Sequence, residues 1–563
     1  MKILVIQTSR FGDLLQTTPM LHALRRRYPD ASITVLSRYN VLEIYKDNPD
    51  IDYIELFNIE EYTNRLLNNP GDTYRSYTEL RDAVNRLKSM KFDLLVNTTH
   101  DRFSTFLSYL IGSSEIKGMY LSPNKRLKIH IDGFWFRYLR CTSEFRQIAP
   151  FNLSDIYKNA IGGDQDTRKL FFNLEPKNEL EAQNILIESP DTKICYIGFQ
   201  LGTSTGNRRW PLQYFAKLGD MLQEQKGNRV VLLGSKDEKN LGKEITIQMK
   251  NAPINLIGKT NISLLAAILK RLSLLVTNDT GTMHLAEAVD TKCVSLFFES
   301  ANPFQTGPYG SEHIICSPDL ECFPCSTTFQ CDDKKCLNVI PSEIVCQLVN
   351  YKLGKVDAQQ IQIPEGMQAH ETRFDRLGVW DVWPFNKISL NKNELARRLY
   401  RRMWIKYSEE TEDIHLEKKE DDLQSAQVEE LKPWYQCYKT EVSYLQGWFE
   451  EFRASLNLIE RKTDNGISLI DDIISESVNV PFDRNAVIMK SEDLERIDKE
   501  IIQLGESTLM LRQMSSLFKL ELEQIEDTNF FIMLNQWKQT YERLKHWECL
   551  LREDINLMSE ILN

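Results

Sequence analysis

The sequence predicts an α/β protein with two doubly wound halves, followed by an α-helical C-terminal domain. Short apolar runs alternate with helical patterns in the first 175 residues, the alternation restarts near Ile194, and it stops after Val356. Parallel strands need a crossover connection, usually a helix, so this alternation is typical of parallel sheets. We expect an N-terminal domain at 1–175, a second α/β domain at 176–355, a linker at 356–390 and a helical domain at 391–563.

Four apolar runs predict the strands of the first half. Residues 1–6 have the pattern of a buried strand, and a polar turn and an amphipathic helical pattern follow them. The other three runs lie at 33–36, 53–57 and 92–96, each separated from the last by room for a helix. Similar runs predict the strands of the second half, at 194–198, 229–234, 274–276 and 293–297.

Beyond Lys392 the pattern becomes helical. Apolar residues recur every three or four positions among many Glu, Lys and Gln residues, as in amphipathic helices. The segments concerned are 393–407, 434–463 and 490–561. We expect a helical bundle or long helical hairpins.

The composition indicates a soluble, non-secreted protein, which we place in the cytoplasm. The chain has 563 residues, 42% of them hydrophobic, and its longest early apolar run, Ile3–Ile6, is too short for a signal peptide or a membrane span. Residues 1–355 carry 43 basic and 40 acidic groups, whereas residues 356–563 carry 26 and 40. This acidic balance argues against nucleic-acid binding, because neutralising phosphates requires clustered Lys and Arg.

The first candidate site segment is 8–19, directly after the first predicted strand. In open α/β sheets this carboxyl edge is where ligands bind. Gly12 permits a tight turn, and we expect Asp13 at or just before a helix start, facing the ligand cleft. From the residues alone, a helix cap explains Asp13 better than a catalytic carboxylate does.

Two further polar segments follow strands of the second half. At 276–288, the amides near Thr280, Gly281 and Thr282 would suit a diphosphate, although Asp279 as a cap and His284 as a packed helix residue explain the pattern too. At 200–211, Arg208 ends a flexible loop that contains Thr203, and an arginine there can neutralise a leaving phosphate. On composition alone, a solvated surface loop is the favoured interpretation of that segment.

Together these segments resemble glycosyltransferase family 9, the heptosyltransferases that use ADP-heptose. The resemblance covers about residues 1–350 and rests on five motifs in the family's order. They are Arg10-Phe11-Gly12-Asp13 with Thr17-Thr18-Pro19 and Leu24–Pro29; Arg208-Arg209-Trp210-Pro211; Leu233-Gly234-Ser235 with Glu238; Asn278–Leu285; and Thr306-Gly307-Pro308-Tyr309-Gly310.

The resemblance implies the GT-B fold, in which two Rossmann-like domains face each other across a cleft. It implies that Asp13 is the general base and that Arg208, where the family usually has Lys, offsets charge on the diphosphate. It also implies no catalytic metal or other catalytic cofactor, because cationic side chains and helix amides replace Mg²⁺. The implied donor-binding residues are Gly12, Thr203, Arg208, Glu238, Asp279, Thr280, Gly281, Thr282 and His284.

Five of the eleven cysteines lie between Cys316 and Cys336. The last four, Cys322, Cys325, Cys331 and Cys336, have a spacing that would suit a tetrahedral metal ion, most plausibly zinc or iron, in a structural role. Comparable clusters occur in family members, and in protein heptosyltransferases such a cluster resembles an iron-binding finger. Reduced or disulfide-paired cysteines that stabilise a loop explain the pattern equally well.

Two basic segments concern the acceptor and the membrane. Residues 120–146 combine basic and aromatic side chains, and an anionic acceptor site and an ordinary solvated face explain them equally well. Residues 397–406 are basic and amphipathic. This pattern is compatible with binding to a membrane surface, but packing on the acidic tail is the favoured interpretation. The candidate acceptor-binding residues are Lys125, Arg126, Arg137 and Arg140.

The leading hypothesis is therefore a glycosyltransferase that moves a sugar, most plausibly heptose from ADP-heptose, onto a saccharide, lipid-linked or protein acceptor. Such an enzyme would act in the cytoplasm, and action at the inner face of the membrane stays open. The alternative is a noncatalytic GT-B-like scaffold with a partner-binding helical tail, and the tail also leaves homo-oligomerisation open. The presence of Asp13, Arg208 and the Asp279-Thr280-Gly281 turn favours the enzyme.

Overall fold

The computed structural model divides the chain into two compact units. The first comprises residues 1–99, 111–115 and 151–388, and the second comprises 100–110, 116–150 and 389–563. The structure describes all residues except 39–41, 58–60, 62–63, 66–67, 69, 123–127, 164–165, 188–193, 327–330, 387–389, 412–430, 432, 439–441, 479–482, 526–528 and 563.

Residues 1–99 form four parallel strands with helical connections. The strands have the order β3-β2-β1-β4, and β1 is fully buried from Ile3 to Ile6 because helices cover both faces of such a sheet. The elements are β1 (Lys2–Ile6), α1 (Phe11–Gln16), α2 (Thr18–Arg27), β2 (Ser32–Ser37), α3 (Leu42–Tyr45), β3 (Tyr53–Leu56), α4 (Thr73–Ser89) and β4 (Leu94–Asn97).

Residues 100–150 contribute two helices and an antiparallel hairpin. The hairpin pairs Met119 with Ile131, and one helix buries Trp135, Phe136 and Tyr138. The elements are α5 (Arg102–Ile111), β5 (Glu115–Leu121), β6 (Ile129–Asp132) and α6 (Phe134–Cys141).

Residues 151–388 form an eight-stranded mixed sheet with its helices. The elements are α7 (Leu153–Asn159), α8 (Pro176–Ile185), β7 (Cys195–Gln200), α9 (Leu212–Gln223), β8 (Asn228–Leu233), α10 (Lys239–Gln248), β9 (Ile254–Asn255), α11 (Ile262–Arg271), β10 (Leu274–Asn278), α12 (Gly281–Ala288), β11 (Cys293–Leu296), α13 (Pro303–Thr306), β12 (Ile314–Pro318), α14 (Ser342–Lys352), β13 (Met367–Phe374) and β14 (Trp380–Pro384). The strands of this sheet have the order β14-β13-β12-β11-β10-β7-β8-β9. Strand β13 pairs antiparallel with both β12 and β14.

The segment 356–390, for which the sequence pattern predicts a linker, contains regular structure. Residues Met367–Phe374 and Trp380–Pro384 extend the second sheet beyond β12. A sheet edge left open would expose unpaired backbone groups, and the two strands cover that edge. The pattern did not show this because an antiparallel pair needs no crossover helix.

A buried polar cluster joins helix α7 to the second sheet of the first unit. The hydroxyl of Tyr309 donates a 2.7 Å hydrogen bond to Asp155, and the amine of Lys158 lies 3.1 Å from the same hydroxyl. Asp155 also accepts a hydrogen bond from the backbone N–H of Trp380, and Asn152 donates to the carbonyl of Gly307. The Gly-Pro-Tyr-Gly motif therefore has a structural role, because it holds α7 against the second sheet.

The described part of residues 390–562 is mainly helical, as the spacing of apolar residues predicts. Gln513 connects three segments of the second unit: its amide donates to the carbonyl of Ile148, and its oxygen accepts from the indole N–H of Trp404. Phe134 packs on the same indole, with ring centroids 5.2 Å apart. The helices are α15 (Lys392–Glu410), α16 (Val442–Val478), α17 (Arg484–Ser507), α18 (Arg512–Glu523) and α19 (Phe530–Leu562).

The basic residues of α15 pack against acidic side chains of the same unit. Arg402 donates to Asp554 at 3.0 and 3.2 Å, and Lys406 pairs with Glu553. Arg397 pairs with Glu394 inside the core. Packing on the acidic tail, the favoured interpretation of this segment, is confirmed. Among the helices in the described part of the chain, none is both long and apolar enough to cross a membrane.

Candidate active site

Helices α1 and α12 approach each other closely, and both begin at a carboxyl edge of their sheets. A Cβ atom on Gly281, the first residue of α12, would lie 2.2 Å from the ring of Phe11, and Gly12 lies against the imidazole of His284. Only residues without a side chain permit this distance. The two glycines therefore bring the Asp13 segment and the Asp279-Thr280-Gly281 segment into one site.

Asp13 lies within the first turn of α1, not at or before the helix start as expected. Arg10 is the residue that precedes the helix, and its backbone N–H donates a 3.2 Å hydrogen bond to the Asp13 carboxylate. Burial raises the pKa of Asp13, and the contact with Arg10 opposes this shift. Burial also raises the pKa of Tyr45 and Tyr157, with a further contribution from the Asp13 charge. Asp13 is thus a half-buried carboxylate near two buried phenols.

The start of α12 contains polar groups that other described residues do not satisfy. The hydroxyl of Thr280 and Nδ1 of His284 are buried without a hydrogen-bond partner in the described part of the chain. Burial lowers the pKa of His284 to about 4, so its imidazole is neutral at pH 7. Thr282 is buried in the same turn. The free amides at a helix start, together with an unsatisfied hydroxyl, suit an anionic group.

Arg208 lies next to α12 and is held by three side chains. Its guanidinium Nη1 is 3.7 Å from Asp279, and its Nε is 3.5 Å from Glu299. Both Nε and Nη2 donate to the hydroxyl of Ser300, at 3.2 and 2.6 Å. Asp279 also accepts a hydrogen bond from Thr306, in the Thr-Gly-Pro-Tyr-Gly motif. The cation therefore stands in a defined position beside the start of α12.

Asn278 fixes the loop that carries Arg208. Its side-chain oxygen accepts a 2.9 Å hydrogen bond from the N–H of Trp210, and its side-chain nitrogen donates to the carbonyls of Gln200 and Leu201. Trp210 is itself fully buried. The segment 200–211 is therefore anchored at both ends.

Glu238 lies above the carboxyl ends of β7 and β8. Its carboxylate accepts a 2.7 Å hydrogen bond from the N–H of Ser235, and a Cβ atom on Gly202 would lie 1.3 Å from its Oε1. The missing side chain at Gly202 leaves the carboxylate at the sheet edge, where it can accept hydrogen bonds from ribose hydroxyls. Thr203 follows, and its hydroxyl donates to the carbonyl of Thr205.

The four clustered cysteines are free thiols near one another. Burial raises the pKa of Cys325 to about 11, with further contributions from Cys322, Cys336 and Cys331. Four sulfur atoms are the ligands that zinc and iron prefer. Among the described residues, however, no group of three or more metal-ligating side chains is arranged to hold an ion. The donor set matches such a metal, and the arrangement in this structure does not form its coordination shell.

The candidate acceptor residues belong to the second unit or lie outside the described residues. Lys125 and Arg126 fall in the undescribed segment 123–127. Arg137 is 3.5 Å from Glu521, whereas Arg140 is exposed. Phe134, Trp135, Phe136 and Tyr138 of the same segment are buried in the core of that unit, so they support the fold and are not surface groups for an acceptor.

Sequence reasoning missed three residues of the site. Asn278 was visible as part of a motif, but its contacts with the Arg208 loop were not. Glu299 and Ser300 follow β11 without any recognisable motif, and they contact Arg208 across more than ninety positions of the chain. For these two residues no local signal existed.

Comparison with known proteins shows what this chain is similar to. A family model described as glycosyltransferase family 9 (heptosyltransferase) matches residues 81–335. Lipopolysaccharide heptosyltransferase 2 of Salmonella typhimurium is 34% identical over 325 residues, which cover 54% of this chain and 84% of that protein. Lipooligosaccharide heptosyltransferase 2 of Haemophilus ducreyi is 30% identical over 329 residues, which cover 56% and 88%.

The fold has a counterpart among solved structures. A glycosyl transferase family 9 protein from Veillonella parvula aligns with a TM-score of 0.51 and 23% identity, over 63% of this chain and 98% of that chain. The alignment and the two sheets of the first unit confirm the expected GT-B architecture with an added helical region.

Proposed function

The chain belongs to glycosyltransferase family 9 and is a glycosyltransferase, and we propose that it transfers heptose from ADP-heptose to a hydroxyl group of a saccharide acceptor. The observation that carries this proposal is the close packing of α1 on α12, through Gly12 and Gly281. It gives one site a carboxylate that can accept a proton and a helix start that can hold a diphosphate.

The donor lies on the second α/β domain. Its diphosphate contacts the amides of Gly281 and Thr282 and the hydroxyl of Thr280, which needs a partner. Arg208 lies beside this helix start and supplies positive charge. Glu238 accepts hydrogen bonds from the ribose. The neutral His284 packs below the reacting groups and adds no charge to the site.

The transfer step needs one base and one stabilised leaving group. Asp13 takes the proton of the acceptor hydroxyl while that oxygen forms a bond to the anomeric carbon of the sugar. The bond from the anomeric carbon to the diphosphate breaks, and ADP leaves with the electron pair. Arg208 and the α12 amides stabilise the charge that develops on ADP, so the step requires no metal ion.

The acceptor proposal rests on the relatives. Two relatives are named for lipopolysaccharide or lipooligosaccharide. We propose a core saccharide attached to a lipid, reached at the cytoplasmic face of a membrane. The named relatives are enzymes, which favours catalysis over a noncatalytic scaffold.

A donor screen tests this function. Purified full-length protein is titrated with ADP, UDP and GDP, and then incubated with the matching sugar nucleotides and lipopolysaccharide core acceptors, and products are measured by mass spectrometry. We expect tight binding of ADP alone and an acceptor mass increase of one heptose. Binding of UDP or GDP in preference to ADP would contradict the proposed donor.

A further inference from the structure

Ser300 and Glu299 hold the guanidinium of Arg208 from one side. The Ser300 hydroxyl accepts two hydrogen bonds from it, at 3.2 and 2.6 Å, and is itself 3.4 Å from the Glu299 carboxylate. Ser300 is 7% exposed. Two hydrogen bonds from one guanidinium to one oxygen restrict both the position and the rotation of the planar group.

The segment that contains Cys325 holds Glu299 in turn. The carbonyl of Glu299 accepts a 2.8 Å hydrogen bond from the backbone N–H of Cys325. Glu299 has φ of 56°, a left-handed conformation that is unfavourable for a residue with a side chain. The hydrogen bond to its carbonyl and the contact of its carboxylate with Arg208 maintain this conformation.

We propose that Ser300 and Glu299 are positioning residues that hold Arg208 against the diphosphate, and that the backbone N–H of Cys325 supports them through Glu299. This inference rests on the proposed function, since it takes Arg208 as the cation that contacts ADP. An arginine side chain loses conformational freedom when it binds its ligand, and partners that fix it in advance reduce that cost. Ser300 and Glu299 thus act on the reaction only through Arg208.

Binding of ADP and adenosine to single and double variants of the full-length protein tests the proposal. Ser300→Ala should weaken ADP binding by about fivefold or more, because it removes both hydrogen bonds that orient the guanidinium of Arg208. Adenosine lacks the diphosphate, so its affinity should stay unchanged. The matched control is Ser295→Ala, which removes a buried serine bonded to the carbonyl of Ile314 and should leave ADP binding unchanged.

The double variant Arg208→Ala/Ser300→Ala separates positioning from an independent contact. If Ser300 acts through Arg208, the double variant should bind ADP as Arg208→Ala does, with no further loss. Additive losses of ADP affinity in the double variant would overturn the positioning role while the proposed function stands. The same conclusion follows if Arg208→Ala binds ADP more weakly but Ser300→Ala binds it with unaltered affinity. An Arg208→Ala variant that binds ADP as the unmodified protein does would overturn the diphosphate site itself, and the inference with it. Equal loss of adenosine binding in Ser300→Ala would show a structural defect and would also overturn the proposal.

Discussion

The imidazole of His284 occupies the space where a side chain of residue 12 would lie. A Cβ atom on Gly12 would be 2.9 Å from Cδ2 of His284 and 3.5 Å from its Nε2. Observed Cβ atoms essentially never approach another heavy atom to less than 3.0 Å. The distance between the first turn of α1 and α12 therefore depends on the lack of a side chain at residue 12 as well as at residue 281.

Gly12→Ala should displace α1 from α12 and lower the transfer rate at least tenfold. The added methyl group must move either the imidazole or the helix, and overpacking of this kind costs about 1–3 kcal/mol. Initial rates with saturating ADP-heptose measure the effect. Gly447→Ala is the matched control, since a Cβ atom there has no neighbour within 4 Å. Equal rates for the two variants would show that the close approach does not matter for catalysis.

Asp13→Asn should abolish transfer and leave ADP binding nearly intact. The amide keeps the shape of the carboxylate but cannot take the acceptor proton, which should cost about a hundredfold or more in rate. Because burial raises the pKa of Asp13, the rate should fall as the pH is lowered through a value above the ordinary 3.8 of an aspartate. A pH–rate profile of the unmodified enzyme, together with turnover of the variant, measures both effects. Near-normal turnover by folded Asp13→Asn would remove this residue from the mechanism.

Arg208→Ala and Gly281→Val should each weaken ADP binding clearly, by about tenfold. The first removes a charge-assisted contact, and the second forces the start of α12 away from the ring of Phe11, which displaces the backbone amides that would hold the diphosphate. Calorimetric titration with ADP gives both affinities. Arg209→Ala is the control for charge, because Arg209 forms no ion pair with the residues that the structure describes. Unchanged ADP affinity in both variants would leave only the fold in support of this donor site.

The cysteine cluster should bind about one zinc or iron ion per chain in protein purified without chelator or oxidant. Replacement of Cys322 or Cys331 by serine should lower metal content and thermal stability together, because metal binding is coupled to local folding. Catalysis should suffer less than in Asp13→Asn, since a site with four protein ligands has no place for substrate. Elemental analysis and thiol counting provide the measurement. Metal-free protein with paired cysteines would replace the metal site with disulfides.

Asp498→Asn should stabilise the helical unit at neutral pH. Burial raises the pKa of Asp498 from 3.8 to about 6, so the folded state favours the protonated carboxyl. The contribution of this carboxyl group to the free energy of unfolding is most favourable below pH 4. About 3 kcal/mol of it is lost as the pH rises to 6. The amide can still accept the hydrogen bond from Tyr541. Hydrogen exchange at the α17 amides should therefore be slower in the variant at pH 7 and equal in the two proteins near pH 4, after correction for intrinsic rates. Faster exchange in the variant at pH 7 would contradict this prediction.

Sequence patterns predict those parts of the molecule whose structure depends on residues close to one another in the chain. Gly12, Thr280 and Gly281 could be located because a strand, a polar turn and a helix in succession define a sheet edge. The contact between Cys141 and Ser516 could not, because 375 positions separate the two residues and neither has a distinguishing pattern. For the same reason, the sequence predicted a helical tail but did not show that residues 116–150 fold with it.

The shared core of residues 116–150 and the C-terminal helices also limits how such a chain can be shortened or recombined. Phe134, Cys141 and Ile148 contact Trp404, Ser516 and Gln513, which are all in the tail. A truncation after residue 388 would expose the aromatic side chains of residues 116–150 that now pack on the C-terminal helices. An exposed apolar surface of this kind promotes aggregation. The C-terminal helices therefore cannot be exchanged as an independent domain. A chain that gains or loses these helices must also change residues 134–148, which pack on them.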